Sequence, residues 1–74
     1  MIRIDMKETG ENIKRYRMTA GYTVQELSEK LNVTLSTVYH WERGIKVPSI
    51  DNLILLSNLL DVPMDSILVY EPLD

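Results

Sequence analysis

The side chains able to do chemistry in this chain are few, and their types exclude more than they offer. There is one histidine, His40, and no cysteine. No second imidazole, thiolate or suitable carboxylate cluster accompanies His40, so a metal centre has no donor set. No nucleophile elbow, Gly-rich phosphate loop or metal-ligand spacing is present. Neither an enzyme nor a cofactor is therefore expected. What remains is hydrogen-bonding chemistry concentrated in one stretch. Thr34, Leu35, Ser36, Thr37, Tyr39 and His40 are followed closely by Arg43 and Lys46. Hydroxyl, phenol and imidazole groups both donate and accept. They suit recognition of a polar partner surface, whereas Arg and Lys suit anions. For His40 the plain alternative is an ordinary exposed polar residue.

A scaffold must project that stretch, and five short helices are legible around it. The first spans about Thr9 to Ala20, with Ile13, Tyr16, Arg17 and Ala20 at helical spacing, Thr9 as N-cap and Gly21 at the C-terminal end. The second spans about Val24 to Leu31. Thr23-Val24-Gln25-Glu26 spells a capping box, and Leu27 and Leu31 form the inner stripe. Asn32-Val33-Thr34 is a turn, since Asn tolerates the left-handed conformation that ends a helix. Thr34 caps a third helix from Leu35 to about Arg43, with Val38 and Trp41 inward and Gly44 as its stop. Ser49 caps a fourth, about Ile50 to Leu60, and Val62-Pro63 separates a short fifth, about Met64 to Leu68.

Residues 2–7 follow another rule. Ile2, Ile4 and Met6 alternate with Arg3, Asp5 and Lys7, the period of a half-buried strand. Its partner is either Leu68-Val69-Tyr70 or the same segment of a second subunit. The expected organisation is an N-terminal extension over 1–8, a helical domain over 9–69 and a frayed tail over 70–74.

Composition sets the bounds. A chain of 74 residues with 45% hydrophobic residues makes one compact domain with a small core. Charges at Arg3 and Asp5 interrupt any signal-peptide core, and the longest apolar run, Leu53 to Leu56, is far too short to span a membrane. With cysteine absent, these features point to the cytoplasm. The net charge of −3 argues against a nucleic-acid partner. Its distribution softens the objection. All 8 Lys and Arg fall in residues 1–46 against 6 acidic residues, while residues 47–74 hold 5 acidic residues and no cation.

Two helices joined by a three-residue turn, Thr23 to Gly44, make a helix-turn-helix unit, whose second helix fits the major groove while the first lies across the backbone. Here the residues resemble the Cro/repressor-type helix-turn-helix family, often called the XRE family. The resemblance covers Glu11 to Leu68 and is carried by the order and spacing of several pieces: Ile13-Lys14-Arg15-Tyr16-Arg17, Gly21 to Ser28, Val33-Thr34, Val38 to Gly44, Pro48, Leu53, Leu56-Ser57, Leu60, Val62 and Ile67-Leu68. It implies an all-α, five-helix lambda-repressor-like bundle. The implied function is sequence-specific binding of double-stranded DNA as a transcriptional regulator, with repression the expected mode.

The resemblance also implies residue roles. Leu27, Leu31, Val33, Val38, Leu53, Leu56 and Leu60 look like the core, and Ser28 is small because the two helices of the motif approach closely. Arg17 and Glu42 are implied to form an internal ion pair, which removes Arg17 from the DNA contacts. Leu35, Ser36 and His40 hold the main base-contact positions, with Thr37 and Tyr39 beside them. For Leu35 two readings stay open, a thymine-methyl contact or a first-turn residue packed on the fold. Phosphate contacts are expected from Arg43 and Lys46, more weakly from Lys14 and Arg15, and from the helix starts at Thr23, Val24, Gln25 and Thr34. Many family members carry Gln where this chain has Val24. Either Gln25 substitutes or that clamp is lost, and only moderate affinity is expected.

The fourth helix is more apolar than one core requires. Leu55 and Leu59 share a face, and Met64, Val69 and Tyr70 add apolar surface. A contiguous exposed patch marks an interface, so a homodimer through these residues is expected. The alternative is a protein-interaction or antitoxin-like module that uses the same C-terminal apolar face for a protein partner and binds DNA weakly or not at all. No membrane partner is expected.

Overall fold

A computed structural model describes residues 2–72. The elements run β1 (Ile2–Ile4), α1 (Met6–Ala20), α2 (Val24–Leu31), α3 (Leu35–Glu42), α4 (Ile50–Leu60), α5 (Met64–Ile67) and β2 (Tyr70–Pro72). Local chemistry sets most boundaries. Thr23, Thr34 and Ser49 sit in extended conformation, and each side chain accepts the amide three residues on, supplying a bond the helix cannot make for itself. At the other ends Gly21, Asn32, Gly44 and Asp61 adopt positive φ, which turns the chain out of the helix.

The start of α1 differs from the sequence expectation. The helix begins at Met6, and the Asp5 side chain caps it by accepting the Glu8 amide at 2.9 Å. Thr9, expected as the cap, lies one turn inside α1 and is buried. Its hydroxyl instead accepts the Val69 amide at 2.9 Å. Asp is as good a cap as Thr, and a helix that starts earlier places Thr9 against the chain's far end. Ile13 and Arg17 are buried and Tyr16 is half-buried, whereas Ala20 is exposed.

The alternation of residues 2–7 therefore overstates the strand. Only Ile2–Ile4 pairs, antiparallel, with Ile2 opposite Pro72, Arg3 opposite Glu71 and Ile4 opposite Tyr70. The partner is the same chain, two residues later than Leu68–Tyr70. Paired residues share a face, so Ile2, Ile4, Tyr70 and Pro72 lie on one side, and Arg3 and Glu71 form an ion pair on the other. The strand is exposed throughout rather than half-buried. Residues 70–72, expected as frayed tail, are held by this pairing; residues 73 and 74 of that tail, and residue 1, lie outside the described residues.

The helices enclose one core of Ile13, Leu27, Leu31, Val38, Trp41, Leu53, Leu56, Leu60 and Ile67. Val33 is half-buried against it. Ile67, fully buried, brings the single turn of α5 into the core. Among the described residues, no buried side-chain nitrogen or oxygen lacks a hydrogen-bond partner. Among them, too, no helix is long and apolar enough to cross a membrane.

Candidate nucleic-acid interface

The geometry of the α2–α3 unit follows from its turn. Asn32 at φ 56° ends α2, and the Val33 amide donates to the Ser28 carbonyl at 2.9 Å. Thr34 then starts α3 after only three residues. Ser28, buried between the helices, turns its hydroxyl back to the Gln25 carbonyl at 2.7 Å. A side chain that satisfies itself along its own helix leaves the facing helix free to approach.

The outward face of α3 carries Leu35, Ser36, Tyr39 and His40, followed by Arg43. Their spacing places them on one side of the helix. Leu35, Ser36, Tyr39 and Arg43 are exposed and His40 is half-buried. Leu35, at 44% exposure, has not packed into the fold. Thr37 is half-buried and its hydroxyl lies 2.8 Å from the Thr34 hydroxyl, so part of its hydrogen-bonding capacity is used at the cap. The Arg43 guanidinium lies over the Tyr39 ring, 5.5 Å from its centroid, a cation–π contact that restrains a long side chain.

The cations on α1 divide. Lys14 joins Arg17, Val24, Tyr39, Glu42 and Arg43 around a shallow cleft of about 290 Å³ between α1, the start of α2 and the end of α3. Arg15 lies elsewhere, over the Tyr16 ring and donating to Asn12 Oδ1 at 2.8 Å. Lys46 is exposed, in a turn whose Ile45 and Lys46 amides both donate to the His40 carbonyl. That turn keeps the cation beside the end of α3. At the start of α2, the amides of Val24 and Gln25 precede the first intrahelical bond, from Leu27 to the Thr23 carbonyl. The Val24 side chain packs against the core and Gln25 is exposed.

Arg17 is not available to a ligand. Its Nε donates to Glu42 Oε2 at 2.7 Å and its Nη2 to Oε1 at 3.2 Å, while Nη1 donates to the Tyr22 carbonyl at 2.8 Å. The two side chains are 10% and 6% exposed. At the box that starts α2, the Thr23 amide donates to Glu26 Oε1 at 2.9 Å and the Glu26 amide to Thr23 Oγ1 at 3.0 Å. Hydrogen bonding from the Thr23 backbone, then from its side chain, holds the Glu26 carboxyl below its ordinary value of 4.5, with a smaller contribution from Lys30.

The sequence profile of the Helix-turn-helix family matches residues 13–67 of this chain, a span that contains the whole of this geometry from Ile13 to Ile67. The chain belongs to the helix-turn-helix family. It is similar to the HTH-type transcriptional regulator ImmR of Bacillus subtilis (strain 168), with 41% identity over 59 residues that make up 80% of this chain and 46% of that protein. It is also similar to the HTH-type transcriptional regulator SinR of the same organism, with 40% identity over 60 residues, 80% of this chain and 54% of that protein. The chain thus spans about half the length of the curated relatives it matches. Among solved structures, SinR in complex with DNA superposes with a TM-score of 0.70 at 40% identity, covering 77% of this chain and 95% of that one. The restriction-modification controller protein C.AhdI of Aeromonas hydrophila shares the fold, with a TM-score of 0.77 at 24% identity over 85% of this chain and 96% of that one.

Away from α3, the C-terminal apolar residues divide. Leu55, Met64 and Tyr70 are exposed. Leu59 and Val69 are half-buried, and Leu59 packs against the core, so the expectation that one copy has no use for it is corrected. The reason is its position one turn beyond Leu55, where α4 leans toward Leu31 of α2. Lys30, Leu31, Leu55, Asn58 and Leu59 line a shallow groove there. Ile50 and Ile54 extend the exposed apolar surface.

Two site features were absent from the sequence reading. Asn12 is buried and its Nδ2 donates to the Ile67 carbonyl at 3.2 Å. Gly10 sits where α1 meets the end of α3, and a Cβ there would overlap the Trp41 carbonyl oxygen and lie 2.9 Å from that of Glu42. The signal for Gly10 arises only once α1 starts at Met6 and puts it inside the helix: glycine there costs about 1 kcal/mol relative to alanine, so its use asks for a close approach.

Proposed function

We propose that this chain reads double-stranded DNA as the binding module of a transcriptional regulator, with α3 in the major groove. The observation that carries the reading is the exposed face of α3, polar along most of its length, lying directly beside a cleft to which Lys14 and Arg43 contribute. A groove-entering helix needs free donors and acceptors on its outer face and cations at its flanks. The likeness to SinR, solved with DNA, supports the same assignment.

On this reading Leu35, Ser36, Tyr39 and His40 contact base edges, with Thr37 contributing what its cap bond leaves free. Arg43, Lys46 and Lys14 contact phosphate, joined by Thr23, the Val24 and Gln25 amides and Thr34. Arg15 contributes least, since it is already held by Asn12 and Tyr16. The regulator works in the cytoplasm as a repressor. It acts as a homodimer through Leu55, Leu59, Met64, Val69 and Tyr70, which would set two α3 helices one DNA turn apart, roughly 34 Å.

A second reading, a protein-interaction or antitoxin-like module, is favoured by one observation. The exposed Ile50, Ile54 and Leu55 lie in a segment without a single cation. Salt titration separates the two. DNA reading predicts affinity that falls steeply with salt and a preferred duplex bound roughly 10³-fold or more tighter than a scrambled one. Equal, weak binding to both duplexes that salt abolishes would leave the second reading in place.

A further inference from the structure

The seam between α1 and α3 is built at backbone contact from both sides. On α1, Gly10 faces the Trp41 and Glu42 carbonyls with no room for a Cβ. On the turn after α3, Gly44 faces α1 in the same way: a Cβ there would lie 2.8 Å from Lys7 Cα and 3.1 Å from Lys7 N. Non-bonded heavy atoms settle at about 3.5–4.0 Å, so either methyl group would force the two elements apart by something on the order of 1 Å.

Which element moves follows from what holds each. The far side of α1 is fastened to the end of the chain, by Thr9 to the Val69 amide and by Asn12 to the Ile67 carbonyl, and Ile13 is sealed in the core. The last turn of α3 is held inward by Trp41 in the core and by the Arg17–Glu42 pair to α1, but its outer face is mostly exposed, so a displacement forced at the seam is taken up on that outer side. That turn carries Tyr39 and His40 and is followed directly by Arg43 and Lys46.

We propose that Gly10 and Gly44 are positioning residues for DNA binding: they set how far the end of α3 stands out from α1, and so whether base and phosphate contacts are made together. The proposal rests on the reading that α3 enters the groove. Neither glycine touches DNA, and both act through the placement of α3. Each is also distinct from a stabilising core residue, because what it supplies is the absence of an atom.

The experiment measures binding of folded protein to the best duplex selected by the unaltered chain, at two salt concentrations and well below each variant's unfolding temperature. Gly10→Ala is expected to bind at least tenfold more weakly, with a salt slope shallower by about one phosphate contact. Thr9→Val removes the Val69 bond on the far side of α1 and is expected to lower the unfolding temperature while binding within twofold. Should Gly10→Ala fail to fold, Gly44→Asn carries the same test, since Asn tolerates the left-handed backbone and its Cβ probes the Lys7 contact. Binding within twofold by the folded glycine variant, or an equal loss in Thr9→Val, overturns the proposal. Ser36→Ala combined with His40→Ala runs in parallel: if that pair leaves binding unchanged, the reading by α3 fails first and the positioning claim falls with it.

Discussion

Arg17 and Glu42 face each other through two hydrogen bonds, joining the last turn of α1 to the last residue of α3 in a place almost closed to water. Nη1 of the same guanidinium binds the Tyr22 carbonyl just before α2. One side chain thereby fixes three helices relative to one another, and its charge is used inside the fold rather than at the DNA surface.

Breaking that pair from one side should be costly. Arg17→Met leaves Glu42 buried without its partner, and chemical denaturation should show a loss of about 3–5 kcal/mol. Arg17→Lys should recover little of it, because an ammonium cannot reproduce the fork that meets both carboxylate oxygens. A loss below about 1 kcal/mol in Arg17→Met would mean that the pair is as dispensable as a surface one.

Arg43 and Lys46 should behave differently. Arg43→Ala and Lys46→Ala are each expected to leave the unfolding midpoint nearly unchanged. Each should weaken all duplexes alike and reduce the salt slope of DNA binding by about one unit. Arg15→Ala should change the slope less. A change in sequence preference from Lys46→Ala would move that residue from phosphate to base contact.

The capping box gives a pH dependence with a defined sign. The folded Glu26 carboxyl titrates below its ordinary value of 4.5, so in the acid range the unfolded chain binds the extra proton. The contribution of the ionised carboxyl is present above about that ordinary value and is lost as pH falls through the lowered folded value. The stability difference between the unaltered chain and Glu26→Gln, measured by thermal unfolding, should therefore shrink as pH falls below 4.5. A difference independent of pH would contradict the assignment.

Leu55 tests the dimer. It is 47% exposed, so Leu55→Asp should leave the monomer fold unchanged by circular dichroism and weaken self-association roughly tenfold or more, ~1.4 kcal/mol. Sedimentation that finds only monomer for the unaltered chain at high concentration would remove the dimer altogether.

What could be read from the sequence was what residues settle among near neighbours. Thr23 with Glu26, Thr34 with Thr37, and Ser49 with Asn52 each complete their bonds within four positions, so their helices begin where expected. Thr9 misled because two capping residues stood close together, Asp5 and Thr9, and the choice between them depended on Val69, 60 residues away. The alternation of Ile2, Ile4 and Met6 was a true local pattern that the Asp5 cap cut short. Leu59 and Ile67 depended on how α2, α4 and α5 lean together, which no local pattern records. At the interface, the exposed face of α3 was legible from helical spacing. The Thr34–Thr37 hydroxyl contact and the Arg43–Tyr39 stacking were not, since rotamers decide them.

Whether the outer face of α3 reads base sequence is decided by selecting bound duplexes from a random library with the unaltered chain and with Ser36→Ala plus His40→Ala. A short motif should enrich with the unaltered chain and be lost or altered with the double variant, while non-specific binding at low salt is similar for both. The same motif enriching with both proteins would show that sequence is read elsewhere, and no enrichment with either would contradict DNA reading by this chain.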